Sequence, residues 1–344
     1  MSGNLPLPAL VVEGGGGSRP PRPAPAKSPP PIPKDVLDAI MESAKDDDRP
    51  SLASRLEKRY REAAQGRVPE PAGPARPARP ARPDSRSGLY NFELARQLLD
   101  EGGQVISEKV NCWLVRHRCG TKVTKFYRHG VRPSEVGAMR FVSEHTTIPV
   151  PRVYDVGKRH LTMEFVEGET LDGAWESGLL SAQDRALVRR QLGDYFGQLR
   201  AFKSPDGLIC SFGGLPAVDA RRRVRREGGP FAGEAAYNEF LLSGLVGHPV
   251  VRDMVRAQMR ADHEIVLSHG DLHSVNILVR PGAGVVAIVD WELAGYYPEY
   301  LDPLAPLRSP NWLCGYYGEL PNLFPQRYNA EFVIDQVLTS WSKF

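Results

Sequence analysis

Long apolar runs are missing from this 344-residue sequence. No stretch of about 18 apolar residues occurs, so the sequence predicts no ordinary membrane-spanning helix. Residues 1–17 lack a charged segment followed by a continuous apolar one, and we therefore expect no secretory signal. These features favour a cytoplasmic protein that has no membrane partner.

Cysteine is also scarce, with four residues in the whole chain. No two of them have the C-x2-C spacing of a zinc site, and so few cysteines do not make a disulfide-stapled scaffold. We expect reduced thiols, as in a cytosolic protein. The four are Cys112, Cys119, Cys210 and Cys314.

A concentrated positive charge is absent from most of the chain. The first 87 residues hold 15 Lys and Arg against 11 Asp and Glu, which leaves 29 basic and 30 acidic residues for the remainder. A nearly neutral domain of this kind does not predict a nucleic-acid-binding surface.

Proline, glycine and alanine dominate residues 1–34 and return in residues 69–83, where arginine joins them. Such sequence buries too little apolar surface to offset the entropy lost on ordering. Residues 1–87 therefore read as a mostly disordered tail, with one or two short helices within residues 35–64. A solvated leader is the simpler interpretation, and docking to a proline-binding module or to an acidic surface is the alternative.

Two regions of different periodicity follow the tail. Residues 88–167 contain short strands separated by polar turns, and one helix over residues 133–145. Residues 168–344 are mainly helical. The pattern therefore predicts an α+β protein with a small β-rich lobe and a larger helical lobe.

In the first lobe, strands are predicted over residues 104–106, 112–115, 122–127, 152–156 and 160–165. In the second, we predict a capped helix that follows Ser181, helices over 235–245 and 250–261, a strand pair at 277–279 and 285–289, and a helical segment from residue 329.

The residues that suggest chemistry lie close together, in a segment that reads LSHGDLHSVNILVRPGAGVVAIVDWE over residues 267–292. Asp271 precedes Asn276, apolar strand residues follow at once, and a turn returns the chain to Asp290. The hairpin brings the Asn276 amide and the Asp290 carboxylate to the ends of neighbouring strands, beside Asp271. Oxygen ligands of this kind suit Mg²⁺, which also takes phosphates and waters.

The order Asp, Asn, hairpin, Asp resembles the catalytic segment of kinases. Protein kinases carry His-Arg-Asp and Asp-Phe-Gly, whereas this chain reads His-Gly-Asp over 269–271 and Asp-Trp-Glu over 290–292. This version resembles the aminoglycoside phosphotransferase and choline-kinase-like family, and AGYYPEY over 294–300 resembles the branch of that family expanded in fungi. The resemblance implies a bilobal protein-kinase-like fold. It also implies an ATP- and Mg²⁺-dependent transfer of the γ-phosphate to a hydroxyl of a small molecule.

The resemblance assigns roles in the catalytic segment. Asp271 would orient the substrate hydroxyl and accept its proton, while Asn276 and Asp290 would hold Mg²⁺. His269 would support the loop by hydrogen bonding. His273 would either contact the γ-phosphate or only line the loop.

The resemblance extends to the first lobe. Lys125, in the third strand, would bind the α- and β-phosphates, and Glu135 in the following helix would hold that lysine, with Glu144 as the alternative. The segment over residues 163–171 would connect the lobes. An adenine ring would bind there to backbone groups, the carbonyl of Glu164 and the amide of Val166.

The phosphate-covering loop departs from the kinase pattern. No Gly-x-Gly-x-x-Gly lies between the first two strands, and the turn reads SEKVN over residues 107–111. Ser107 or backbone amides would have to meet the phosphates. This departure keeps open a catalytically weak pseudokinase that acts as an interaction module. An atypical protein kinase is a further alternative, although Ala-Pro-Glu is missing.

The acceptor would bind to the second lobe. A polycationic aminoglycoside requires converging carboxylates, whereas aromatic rings suit a choline-like cation. The sequence alone does not distinguish these acceptors. Candidate contacts are Asp302, Trp312, Tyr316, Tyr317, Glu319 and Asp335.

Overall fold

The computed structural model of this chain describes residue 89 and residues 92–221, 226–245, 249–308, 318 and 328–341. The predicted tail over residues 1–87 lies outside these ranges, as do four of the candidate acceptor contacts, Trp312, Tyr316, Tyr317 and Glu319. None of the helices in the described ranges has the length and apolar character needed to cross a membrane.

A five-stranded antiparallel sheet forms the first lobe, in the order β1-β2-β3-β5-β4. All five predicted strands are present. One face of the sheet buries Trp113, Val115 and Phe126 against a helix that the sequence did not indicate, α1 (Glu93–Asp100). The strands are β1 (Gln104–Glu108), β2 (Cys112–Arg116), β3 (Lys122–Tyr127), β4 (Val153–Val156) and β5 (His160–Glu164).

The predicted helix of the first lobe, α2 (Pro133–His145), connects the two lobes. Its proline occupies the start of the helix, where a missing amide proton costs nothing. The buried side chains of Val136 and Met139 belong to the same hydrophobic cluster as Leu192 and Ile277 of the second lobe. The lobes therefore share a continuous core, which limits how far the cleft between them can open.

The second lobe contains most of the helices. The predicted capping box begins α4, since the amide of Asp184 donates to Ser181 Oγ (3.1 Å) and the amide of Ser181 donates to Asp184 Oδ2 (3.0 Å). The helices of this lobe are α3 (Leu171–Glu176), α4 (Ala182–Ala201), α5 (Glu234–Leu242), α6 (Pro249–Arg256), α7 (Leu301–Leu304) and α8 (Asn329–Ser340).

Short strands are more numerous in this lobe than the sequence indicated. The predicted hairpin is present, and six further strands of two to four residues accompany it. Strands of that length are too short for an alternating pattern to reveal them. The strands are β6 (Glu169–Thr170), β7 (Cys210–Ser211), β8 (Ala217–Asp219), β9 (Arg226–Gly228), β10 (Ile265–Ser268), β11 (Ile277–Arg280), β12 (Gly284–Ile288) and β13 (Gly295–Pro298).

Two helices end before their predicted residues. The helix predicted to reach residue 245 ends at Leu242, where the chain turns through Gly244. The helix predicted to reach residue 261 ends at Arg256. Helix α6 has no fully buried side chain and packs on the core through the partly buried Val255, which gives little packing to stabilise a longer helix.

The loop over residues 269–276, which resembles the catalytic segment of kinases, lies between two small sheets. Strand β10 pairs with β13, while β11 pairs with β12 and with β6. Residues 269–276 connect the end of β10 to the start of β11, so both ends of this segment are held by backbone ladders.

Helix α8 is attached to the second lobe by a buried ionic network. Asp335, predicted to line the acceptor site, is 2% exposed and accepts from Arg221 Nε (2.7 Å) and Arg308 Nε (3.0 Å). Arg221 also contacts Asp219 (3.1 Å). Burial alone would raise the pKa of Asp335, but the two guanidinium groups outweigh it and hold the pKa below its usual value. The side chain therefore stabilises the fold and is not available to an acceptor.

We predict that Asp335→Asn lowers the free energy of unfolding by about 3 kcal/mol, because it leaves two buried guanidinium groups without their shared carboxylate. Urea denaturation would measure the change. Asp253→Asn is the matched control, since Asp253 pairs with Arg256 at the surface and such exposed pairs contribute little. Equal losses in the two variants would contradict this account.

Candidate active site

The first turn of the catalytic segment requires a glycine. Gly270 has φ +85°, and a Cβ at this position would lie 2.3 Å from the carbonyl oxygen of Leu293. No other residue type fits so close to a backbone atom in this conformation. The turn directs the next residue, Asp271, out of β10 and into the cleft, where its side chain is 35% exposed.

Asp302 stabilises this turn by hydrogen bonds to its backbone. Its two carboxylate oxygens accept the amide protons of His269 and Gly270, each at 2.8 Å, and the residue is 6% exposed. Burial raises its pKa, and His269 together with the two amide hydrogen bonds opposes that shift. The prediction that Asp302 contacts the acceptor is therefore wrong, because both oxygens are engaged by the backbone of the catalytic loop.

His269 is fully buried and also supports the loop. Its Nε2 lies 3.0 Å from the carbonyl oxygen of Val289, and its Nδ1 accepts from the amide of Asp271 (3.2 Å). Because a carbonyl oxygen only accepts, Nε2 is the donor to Val289. The ring packs on Trp291, with centroids 4.5 Å apart. This arrangement agrees with the supporting role predicted for His269 and leaves no nitrogen for a substrate.

Asn276 lies directly beside Asp271. Its Nδ2 donates to the carbonyl oxygen of Asp271 (2.8 Å) and to Asp271 Oδ2 (3.2 Å). These bonds fix the amide so that its Oδ1 accepts no hydrogen bond from any described residue. The oxygen is therefore the atom that Asn276 can offer to a cation.

His273 Nε2 lies 3.4 Å from Asp271 Oδ1. Burial lowers the pKa of His273, and Arg308 and His269 lower it further, while Asp271 opposes the shift. Burial therefore favours the neutral imidazole at this position, close to the Asp271 carboxylate. The geometry leaves both predicted roles of His273 open.

Asp290 adopts the left-handed conformation, with φ 67° and ψ 55°, and is the one non-glycine residue of the described ranges with positive φ. Such backbone geometry costs about 1 kcal/mol, and Asp tolerates it better than most residues. The turn separates β12 from the short helical turn over Trp291–Leu293. It aims the Asp290 carboxylate towards the first lobe.

Lys125 meets Asp290 across the cleft. Its Nζ lies 2.7 Å from Asp290 Oδ1 and 2.9 Å from Glu135 Oε1, so the predicted strand-to-helix pair is present. The lysine is 6% exposed. Burial lowers its pKa, but the two carboxylates outweigh that effect and raise it well above the usual value. Glu144, the alternative partner, is exposed near the end of α2.

Lys125 also changes the pKa of Asp290. Burial raises the pKa of Asp290, yet Lys125 outweighs it through charge and a hydrogen bond, and the pKa falls to about 2. Asp290 is therefore a carboxylate at any physiological pH, as a metal ligand must be.

Tyr127 belongs to this network, although sequence reasoning missed it. Its hydroxyl donates to Glu135 Oε2 (2.7 Å), and its ring lies 5.0 Å from Lys125 Nζ. The signal was present in the sequence, because residues two apart on a strand share one face. Asp302 had no such signal, since its partners are backbone groups more than thirty positions away.

The remaining predicted residues belong to the sheet of the first lobe and to the segment that follows it. Ser107 is a half-buried residue of β1, opposite Leu114 of β2. Glu164 ends β5, with its amide bonded to the carbonyl oxygen of Arg152 (2.8 Å). Val166 follows in the inter-lobe linker, and its amide donates to no acceptor among the described residues. A donor of that kind is what recognition of a base by the backbone requires.

We predict that Asp302→Asn loosens the catalytic turn, because an amide nitrogen would then face a backbone donor and one hydrogen bond would be lost. Loss of a hydrogen bond to a charged acceptor costs about 2 kcal/mol. Amide hydrogen exchange over residues 269–271 should therefore quicken roughly tenfold or more. Asp262→Asn, at an exposed position before β10, is the control. Unchanged exchange at 269–271 would show that Asp302 does not hold the turn.

Comparisons with known proteins were consistent with one family. A family model described as "Phosphotransferase enzyme family" (APH) matches residues 107–312, more than half of the chain. No curated protein sequence matches.

Several solved structures resemble the fold at low sequence identity. The streptomycin–ATP ternary complex of APH(2")-IIa is 14% identical, with a TM-score of 0.49 over 71% of this chain and 84% of that one. ADP-bound APH(2'')-Ib is 12% identical, with a TM-score of 0.45 over 75% and 98%. APH(3'')-Id from Streptomyces rimosus is 16% identical, with a TM-score of 0.43 over 75% and 99%.

The matched residues include the turn between β1 and β2, Lys125, the loop over residues 269–276 and Asp290. The chain belongs to the phosphotransferase enzyme family, with the two-lobed α+β architecture of a protein-kinase-like fold.

Proposed function

We propose that the protein is an ATP- and Mg²⁺-dependent kinase that transfers the γ-phosphate to a hydroxyl of a small molecule. One observation carries the proposal: Lys125 of the first lobe lies 2.7 Å from Asp290, at the edge of the catalytic segment that contains Asp271 and Asn276. A phosphoryl-transfer site needs a cation for the phosphates, oxygen ligands for a metal and a carboxylate for the acceptor. Here all three converge from two lobes.

The donor set suits Mg²⁺ brought in with a nucleotide. Asn276 Oδ1 and the ionised Asp290 are hard oxygen ligands, and Mg²⁺ usually takes only one or two side-chain ligands besides phosphates and waters. No group of three His, Cys, Asp or Glu side chains could hold a metal in the part of the chain that the structure describes. When bound, Mg²⁺ would neutralise charge that develops on the transferred phosphoryl group.

Asp271 is the group suited to the acceptor. Its carboxylate is the most exposed of the catalytic segment's functional groups, and its hydrogen bond from Asn276 fixes the orientation of that carboxylate. A hydroxyl that donates to Asp271 would be held in position and would lose its proton to this carboxylate as the new P–O bond forms. Positioning and charge neutralisation, rather than a high pKa, dominate this chemistry.

The nucleotide would lie between the sheet of the first lobe and the catalytic segment. Lys125, held by Glu135, would bind the α- and β-phosphates, and Ser107 lies on the strand that precedes the turn above them. The adenine would use the carbonyl of Glu164 and the amide of Val166, which has no acceptor among the described residues. These assignments follow from the position of each residue in a kinase-like cleft.

The described residues give no support for a polycationic acceptor. Asp302 and Asp335, two of the acidic candidates, are both engaged inside the protein. Streptomycin is named in the complex of the relative described above, and we do not extend it to this chain. We propose an acceptor defined only by a hydroxyl that can reach Asp271.

The test uses the purified full chain with Mg-ATP and a pool of hydroxyl metabolites, with peptides in a parallel assay. We expect Asp271→Asn to lower transfer by about 100-fold or more, the usual loss for a general base, while Mg-ATP still raises the melting temperature. Asp290→Asn should abolish both transfer and the Mg²⁺-dependent part of that stabilisation. Asp262→Asn is the surface control.

Three outcomes would redirect the proposal. Transfer that survives Asp271→Asn unchanged would remove the assigned base. Labelling of peptides in place of metabolites would indicate an atypical protein kinase. Absence of any stabilisation by millimolar nucleotide would favour a pseudokinase that acts as an interaction module.

A further inference from the structure

The turn between β1 and β2 brings a lysine over the cleft. Lys109 Nζ lies 3.9 Å from Asp290 Oδ2, the oxygen opposite the one that Lys125 contacts. The Lys109 side chain is 63% exposed, and Asp290 is the one carboxylate of the described residues within 4.0 Å of its ammonium group. Two cations therefore approach the carboxylate of Asp290, the proposed metal ligand. Lys125 approaches it from the buried part of the first-lobe sheet, and Lys109 from the turn between β1 and β2.

The turn between β1 and β2 differs from a glycine-rich loop. A glycine-rich loop binds phosphate because several free amides point at it. This turn contains no glycine, and the amide of Lys109 already donates to the carbonyl oxygen of Cys112 (2.8 Å). Val110 at its tip is 77% exposed, whereas the Lys109 side chain reaches back to Asp290. The Lys109 side chain can therefore offer a phosphate a positive charge at this turn.

The charge balance at the site favours an anion beside Lys109 once a cation is bound. Lys109 and Lys125 carry two positive charges and Glu135 and Asp290 two negative ones, so a bound Mg²⁺ would leave an excess of positive charge. At 3.9 Å and with a largely exposed ammonium, the Lys109–Asp290 pair is weak. A cation bound to Asp290 would weaken it further. Phosphate oxygens that share that cation would offer Lys109 a much stronger partner, because hydrogen bonds between charged groups are shorter and stronger.

We propose that Lys109 is a phosphate-binding residue that contacts the β- and γ-phosphates of the nucleotide and replaces the missing glycine-rich loop. The inference rests on the proposed function and assigns the recognition of the terminal phosphates to one side chain of the β1–β2 turn. Lys125 would bind the phosphates from strand β3, and Lys109 would bind them from the turn between β1 and β2.

The test measures affinities of the full chain for Mg-ATP, Mg-ADP and adenosine by calorimetry. Loss of one charge-assisted hydrogen bond corresponds to roughly a tenfold loss of affinity. We expect Lys109→Ala to weaken Mg-ATP binding about tenfold, to weaken Mg-ADP binding less, and to leave adenosine binding unchanged. Lys109→Arg should restore most of the Mg-ATP affinity.

Lys158→Ala is the matched control, because Lys158 is exposed in the hairpin that joins β4 and β5 of the same sheet. The melting temperature without nucleotide should be the same for all variants. If wild-type protein binds Mg-ATP and Lys109→Ala binds it equally well, the role of Lys109 is overturned and the proposed function stands. If wild-type protein binds none of the three probes, the proposed function itself fails. An equal loss for adenosine and Mg-ATP would also overturn the inference, because it would indicate a distorted sheet.

Discussion

The contact between Lys125 and Asp290 is the interaction on which the site depends. It joins a strand of the first lobe to the end of a hairpin of the second. Burial disfavours the charged form of each partner. Glu135 and Asp290 together keep Lys125 protonated, and Lys125 keeps Asp290 ionised. Glu135 and Tyr127 extend the network on the side of the first lobe. Relative movement of the lobes would therefore separate charges that have little access to water.

Much of the remaining geometry is imposed by the backbone. Gly270 admits a turn that no side chain would tolerate, and Asp302 bonds the two amides that this turn leaves free. Asp290 lies in a conformation that only a few residue types accept without greater strain. The buried Asp302 thus holds the loop that carries the more exposed Asp271. The acidic residues of this lobe therefore differ in role according to their partners. Asp271 faces the cleft, whereas Asp302 and Asp335 stabilise the protein around it.

The sequence predicted those features that depend on neighbours along the chain. The order of Asp271, Asn276 and Asp290 is linear, and the hairpin between the last two is short enough to determine their proximity. Lys125 and Glu135 lie on consecutive elements, and the resemblance to the kinase-like family implied their pairing. The role of Asp302 could not be predicted, because its partners are main-chain amides that have no residue-specific signature. The approach of Lys109 depends on how the first sheet is oriented over the second lobe, and only the tertiary structure determines that.

The capping residue of α4 has a second partner. Asp184 caps the helix with one carboxylate oxygen and accepts the amide proton of Gly282, in the turn between β11 and β12, with the other (2.7 Å). That turn joins the strand that begins beside Asn276 to the strand that ends before Asp290. For protein engineering, a half-buried aspartate at the start of a helix would be a natural choice for surface redesign or for attaching a label. In this chain, a change at Asp184 removes a hydrogen bond to the hairpin whose two ends carry Asn276 and Asp290.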